Sequence, residues 1–152
     1  ILKVKEDYDG AVPSGNSVAA LALLRLGKIT DQKEFTDMAE KSLLLFSDNM
    51  TNGPSAVPYL LQALDFLVHE PRRAVITGDP KSAGARDLIA AAHAAYQPNK
   101  VVLGIAGPVE EFAKTLPEEK VSAVYLCTGT ACQPPTSDSL KLREMMASKT
   151  LP

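Results

Sequence analysis

Two cysteines stand five positions apart in Cys127-Thr128-Gly129-Thr130-Ala131-Cys132. Small residues and a glycine between them let the chain fold back, toward the ~5.5–6 Å Cα separation of a typical disulfide. Two chemistries fit the spacing: a reversible redox pair, or one buried thiol beside one loop thiol. No basic residue lies close to them in sequence to lower a thiol pKa. A second candidate is Thr77-Gly78-Asp79-Pro80-Lys81-Ser82, which joins an expected strand to an expected helix. Backbone N–H groups at such a junction can cradle a phosphate, with Gly78, Lys81 and Ser82 as the contacts. The segment carries neither the dinucleotide fingerprint nor the lysine-bearing phosphate loop, so an ordinary strand-to-helix turn is the competing reading.

A third group, Glu6, Asp7, Asp9, Ser14 and Asn16, gathers polar side chains just before an apolar run. At the mouth of a helical barrel, Asp7, Asp9 and Asn16 would suit acid–base work on a sugar. Ser, Asn and Asp are equally the residues that cap helix starts. His69 and His93 stand singly without metal-ligand spacing, so neither a metal nor a cofactor is expected. Asn49-Met50-Thr51 is a glycosylation sequon, meaningful only on a secreted chain.

The elements that must position these groups fall into two halves. Residues 1–70 carry six basic and ten acidic groups, whereas 71–152 carry ten and eight. The changeover at His69-Glu70-Pro71-Arg72-Arg73 coincides with a change in hydrophobic period, which predicts a boundary there. In the first half, Val18 to Leu26 reads as a helix closed by Gly27 in a left-handed cap. Its stretch Val18-Ala19-Ala20-Leu21-Ala22-Leu23-Leu24 has no polar side chain, and a helix apolar on every face must be buried on every face. Asp31 to Met50 reads as an amphipathic helix with Phe35, Met38, Ala39, Leu43, Phe46 and Met50 on one stripe. A third helix follows Asn52-Gly53-Pro54-Ser55 and runs to Val68, again apolar nearly all round. Three helices cannot enclose two such segments. Partners that cover them are expected: a longer form of the same chain, or a second copy associating through exposed apolar helices.

In the second half, Ala74–Gly78, Val101–Ile105 and Val121–Cys127 read as strands. Helices follow Ser82, Gly107-Pro108 and Ser137-Asp138. This β, α, β, α, β, α order predicts an α/β unit, a three-stranded parallel sheet with right-handed crossovers. Ligands on such sheets sit beyond the strands' C-terminal ends.

Composition narrows the function. With 16 basic and 18 acidic side chains in 152 residues, the net charge of −2 supplies no general attraction to nucleic acid or anionic membrane. No apolar run reaches the ~18 residues of a membrane span. Ile1 and the residues after it lack the regions of a signal peptide, which reads as the start of a fragment. Free cysteine points to a reducing compartment and the sequon to the opposite, with the balance toward a soluble cytoplasmic chain.

Several of these residues together carry a family resemblance. Asp7-Tyr8-Asp9-Gly10-Ala11-Val12-Pro13-Ser14-Gly15-Asn16-Ser17-Val18, followed by Leu23-Leu24-Arg25-Leu26, resembles the C-terminal region of the spermatogenesis-associated protein 20 family and its bacterial relatives. Phe46-Ser47, Tyr96-Gln97-Pro98-Asn99-Lys100-Val101 and Val124-Tyr125-Leu126-Cys127 with Cys132 and Pro135 match as well. The likeness covers essentially the whole chain. It implies a longer protein with a thioredoxin-like domain and an (α/α)6-type barrel similar to sugar epimerases and glycosidases. Residues 1–70 would then be helices closing that barrel, and 71–152 a small C-terminal α/β domain. The redox cysteines of the thioredoxin-like domain are absent from this chain. Relatives often place Glu before the Pro-Ser pair, where Val12 stands here. The function expected is therefore a structural and interaction region without independent catalysis. The alternatives are a share in a carbohydrate site and thiol redox at Cys127 and Cys132.

Overall fold

The computed structural model describes residues 6–148, which divide into two compact units between His69 and Glu70. The first unit is helical. Helix α1 (Gly15–Thr30) starts at Ser14, whose hydroxyl accepts from the Ser17 N–H at 3.1 Å. It runs three residues beyond Gly27. Asp31, in the left-handed region at φ 57°, ends it by donating its N–H to the Gly27 carbonyl. Gly27 has a different task from the expected cap. A Cβ there would lie 2.7 Å from the Thr36 hydroxyl, so the bare backbone lets the next helix approach.

That next helix is two. Helix α2 (Lys33–Leu45) breaks at Phe46, and α3 (Ser47–Asn52) follows. The break carries Phe46 into the core, while Leu44 and Leu45 remain outside. A 3-10 turn (Pro54–Ala56) leads into α4 (Pro58–Val68), with Pro58 at the first helical position where its missing N–H costs nothing. Helix α1 packs on both α2 and α4. Leu21, Leu24, Leu60 and Phe66 are fully buried in this unit, and the Arg25 guanidinium lies 5.9 Å from the Phe66 ring centroid. Neither apolar helix is enclosed all round: Val18, Ala19, Ala22 and Leu26 of α1 and Val68 of α4 are exposed.

The second unit holds a four-stranded sheet in the order β2-β1-β3-β4: β1 (Arg72–Thr77), β2 (Lys100–Gly104), β3 (Ala123–Thr128) and β4 (Ala131–Cys132). The first crossover is as expected, with α5 (Ala83–Ala94) linking parallel β1 and β2 from Arg72↔Lys100 to Ile76↔Gly104. The three-stranded parallel sheet is not formed. β3 runs antiparallel to β1, pairing Arg72 with Thr128 and Thr77 with Ala123. The reason lies in the connection from β2. Its only helix, α6 (Glu111–Lys114), has four residues and rises about 6 Å, so the connection lacks the long packed crossover helix on which a parallel return usually relies. The chain therefore re-enters at the end it left. β4 then folds back on β3 through a two-residue turn with Gly129 at φ 56°, the left-handed first position of a II′-like hairpin.

Helices α5 and α7 (Ser139–Ala147) pack against one sheet face, where Ala74, Ile76, Val124 and Leu126 meet Leu88, Ala91, Leu142 and Met146. Two neighbouring cations close these helices. Arg72 donates to the carbonyls of Met145, Met146 and Ser148, and its register partner Lys100 donates to those of Ala92, His93 and Ala95. On the opposite face, buried Arg73 pairs with Glu110 and stacks 5.3 Å from the Phe112 ring centroid.

Candidate functional site

Each group singled out in the sequence has a definite local environment. Asp9 is buried and joins two helix starts. One carboxylate oxygen accepts from the Ser14 N–H at 2.8 Å, and the other accepts from the N–H groups of Tyr59 at 2.8 Å and Leu60 at 3.2 Å. Its own N–H donates to the Ala56 carbonyl. Burial works to raise the pKa of this carboxyl. The hydrogen bonds from Ser14, Ser17, Leu60 and Tyr59 outweigh it and hold the group below its ordinary value. Asp9 thus caps α4 across fifty residues of chain while fixing the approach to α1. Asp7 is exposed and accepts from the Asn49 side chain at 3.0 Å, which occupies the sequon asparagine. The Asn16 amide donates to the Glu6 carbonyl at 2.7 Å. The polar cluster is drawn together by helix starts, with its hydrogen bonds directed at the chain itself.

The Gly78–Ser82 turn is similarly occupied. Gly78 has φ 88°, and a Cβ there would sit 3.0–3.1 Å from Ser122, so glycine is required both by conformation and by space. The Lys81 N–H donates to the Asp79 carboxylate at 2.9 Å, and the Ser82 N–H to the Asp79 carbonyl. The Ser82 hydroxyl caps α5 through the Ala85 N–H at 3.1 Å and shares a 2.8 Å hydrogen bond with Ser122. The Asp79 carboxylate thus takes the Lys81 N–H and the Asp79 carbonyl takes the Ser82 N–H, so both donors are already engaged within the turn. Beside the turn, at the C-terminal ends of β1 and β2, lies a hollow of about 370 Å³. Ile76, Pro80, Ile89 and Val102 give it apolar walls, and His93 is its one imidazole. The β1–β2 strand ends thus carry the hollow that parallel neighbours lead one to expect.

Cys127 and Cys132 are joined in a disulfide, which corrects the expectation of free thiols on which the reducing compartment rested. They are directly opposed residues of β3 and β4, with Cα atoms 4.0 Å apart. The sequence reading missed β4; its signal was Gly129-Thr130 between small residues, the composition of a two-residue hairpin. It also missed a cation. Arg73 pairs with Cys127 across β1 and β3, and its guanidinium donates to the Gly129 carbonyl inside the loop that the disulfide closes. Nearby, Tyr125 donates to the Pro117 carbonyl and the Glu119 carboxylate, and burial together with Glu119 pushes its hydroxyl pKa up.

An apolar groove of about 520 Å³ runs over the helical unit between α2–α3 and α4. Leu43, Leu44, Met50, Leu61, Leu64 and Leu67 form its floor and walls, and Glu40, Ser47 and Thr51 also line it. The run Leu43-Leu44-Leu45 was the sequence signal for it, because consecutive leucines on a two-sided helix cannot all face one core. Among the described residues no group of three or more His, Cys, Asp or Glu is placed to hold a metal, and no helix is long and apolar enough to cross a membrane.

These features define a class: a region with a helical unit bearing an apolar groove and a mixed-sheet unit stapled by a hairpin disulfide. No family model and no solved structure matches it. The chain is homologous to spermatogenesis-associated protein 20. It is 35% identical to the Rattus norvegicus protein and 34% identical to the Homo sapiens protein, in each case over 95% of its own length. An uncharacterized Caenorhabditis elegans protein is 28% identical over the same share. The chain spans about one fifth of the length of these curated relatives.

Proposed function

We propose that this chain is the C-terminal structural and interaction region of a longer protein, without catalysis of its own. The observation that carries this reading is the groove between α2–α3 and α4, an apolar floor left uncovered in a unit whose own helices are already packed. Leu44, on the wall of this groove, is 73% exposed, and a contiguous exposed apolar surface of this kind marks an interaction site. Homology supports it further, since the matched stretch is a fifth of each relative and four fifths remain to supply a covering surface. The resemblance suggests what that surface is: preceding helices of an α/α barrel, with a thioredoxin-like domain beyond. The aspartates expected at a barrel mouth do not favour a sugar site, because Asp9 is engaged by three backbone N–H groups.

The test compares residues 1–152 alone with the full-length protein, by sedimentation and by a dye that fluoresces on apolar surface. Dye bound by the isolated chain and lost in the full-length protein supports docking. A monomeric isolated chain that binds no dye overturns it. Leu44→Glu with Leu61→Glu in the full-length protein should release the region to protease, while the sheet unit stays folded.

A further inference from the structure

We propose that Cys127–Cys132 is a reversible thiol–disulfide site, reduced by a dithiol and poised by Arg73. A disulfide kept only for stability is best placed across a long loop, because closing a long loop removes more disorder from the unfolded chain. This one closes a loop of six residues, at the edge of the sheet, on a strand of two residues. The register keeps the cysteines together without the bond. Gln133 donates to the Leu126 carbonyl at 2.9 Å, so Leu126 and Gln133 form the hydrogen-bonded pair and the cysteines occupy the adjacent close pair. Reduced thiols would stay side by side, ready to re-form the bond.

The two sulfurs differ in setting. Cys127 is fully buried, whereas Cys132 is half-buried on the edge strand. A thiolate of the incoming dithiol attacks Sγ of Cys132, forming a mixed disulfide and expelling Cys127 as thiolate. The donor's second thiolate then attacks its own sulfur in that mixed disulfide and releases Cys132. The donor ends as a disulfide, and the chain gains two electrons and, with two protons, two thiols. Arg73 stands directly across from the departing Cys127, its guanidinium held 7% exposed between Glu110 and the Gly129 carbonyl. A cation in that position favours the thiolate, and Glu110 tempers it.

The test uses the folded chain equilibrated in graded dithiothreitol buffers, then trapped with an alkylating agent and weighed. One concerted step from no adducts to two, with α5–α7 amides still protected from hydrogen exchange and those of Gly129–Cys132 exchanging faster, is the expected result. Reduction only in denaturant, or accumulation of a singly alkylated species, overturns the site. Glu110→Gln removes the counter-ion while leaving the guanidinium, and should shift the midpoint several-fold toward the dithiol form (~3- to 10-fold). An unmoved midpoint in that variant overturns the part assigned to Arg73. Neither result bears on the docking groove, which lies in the other unit.

Discussion

The helical unit and the sheet unit solve the same burial problem to different extents. In the sheet unit every residue of β1 and nearly every residue of β3 is buried, with α5 and α7 on one face and Arg73, Glu110 and Phe112 together on the other. In the helical unit α1 buries one side, and α2 through α4 leave a groove of leucines open. A sheet strand presents two faces that neighbours in the same short chain can cover. A helix apolar all round needs neighbours on every side, and the other helices of this short unit supply too few. The difference is that the sheet unit covers its strands with its own helices, whereas the helical unit leaves its groove uncovered; on the proposal above, the rest of the longer protein completes it.

The largest break in this contrast comes from core truncation. Phe66→Ala in the helical unit should cost about 3–5 kcal/mol and Leu88→Ala in the sheet unit about 2–5 kcal/mol. Urea unfolding followed by separate probes should then show each variant lowering the midpoint of its own unit. A single shared transition in both variants would show that the units unfold as one. Next comes Asp9→Ala, which removes the acceptor for three backbone N–H groups. A loss of about 1–3 kcal/mol is expected, confined to the helical unit.

Acid sharpens the same point. Because the folded Asp9 titrates below its ordinary value of 3.8, the unfolded chain takes up the proton more readily. Its stabilisation is therefore complete above about pH 4 and is lost as pH falls through the lowered folded value. Asp9→Asn should flatten the acid limb of the helical unit's denaturation profile and leave the sheet unit's unchanged. Gly78→Ala should cost the sheet unit more than about 1 kcal/mol, from its left-handed backbone and the crowding by Ser122. The smallest effect is expected at the groove. Leu44→Gln should alter the stability of the isolated chain by less than about 0.5 kcal/mol while reducing its dye binding.

Much of the fold was legible because it rests on local signals. Ser14, Ser82 and Asp138 cap the helices that follow them, and the buried runs around Val75, Leu103 and Val124 are strands. The direction of β3 was not legible. It depends on whether the connection forms a packed crossover helix, and Gly107-Pro108 is followed by a single helical turn where a longer helix was expected. The end of α1 was misread for a related reason: Gly27 answers to the approach of Thr36, a contact that local rules cannot register. The setting of the cysteine pair was half legible. Spacing brought the sulfurs together, but the cation across from Cys127 comes from residue 73, more than fifty positions away.

Arg72 and Lys100 carry one last consequence. Two like charges facing each other on adjacent strands would ordinarily repel, yet each points into the carbonyl-rich, negative end of a different helix. The far ends of α5 and α7 are therefore anchored from the sheet rather than by their own sequence. Shortening α7 to end before Met145 would strip Arg72 of all three acceptors and leave a guanidinium stranded in the interior, so the unit should tolerate trimming only down to a sharp limit.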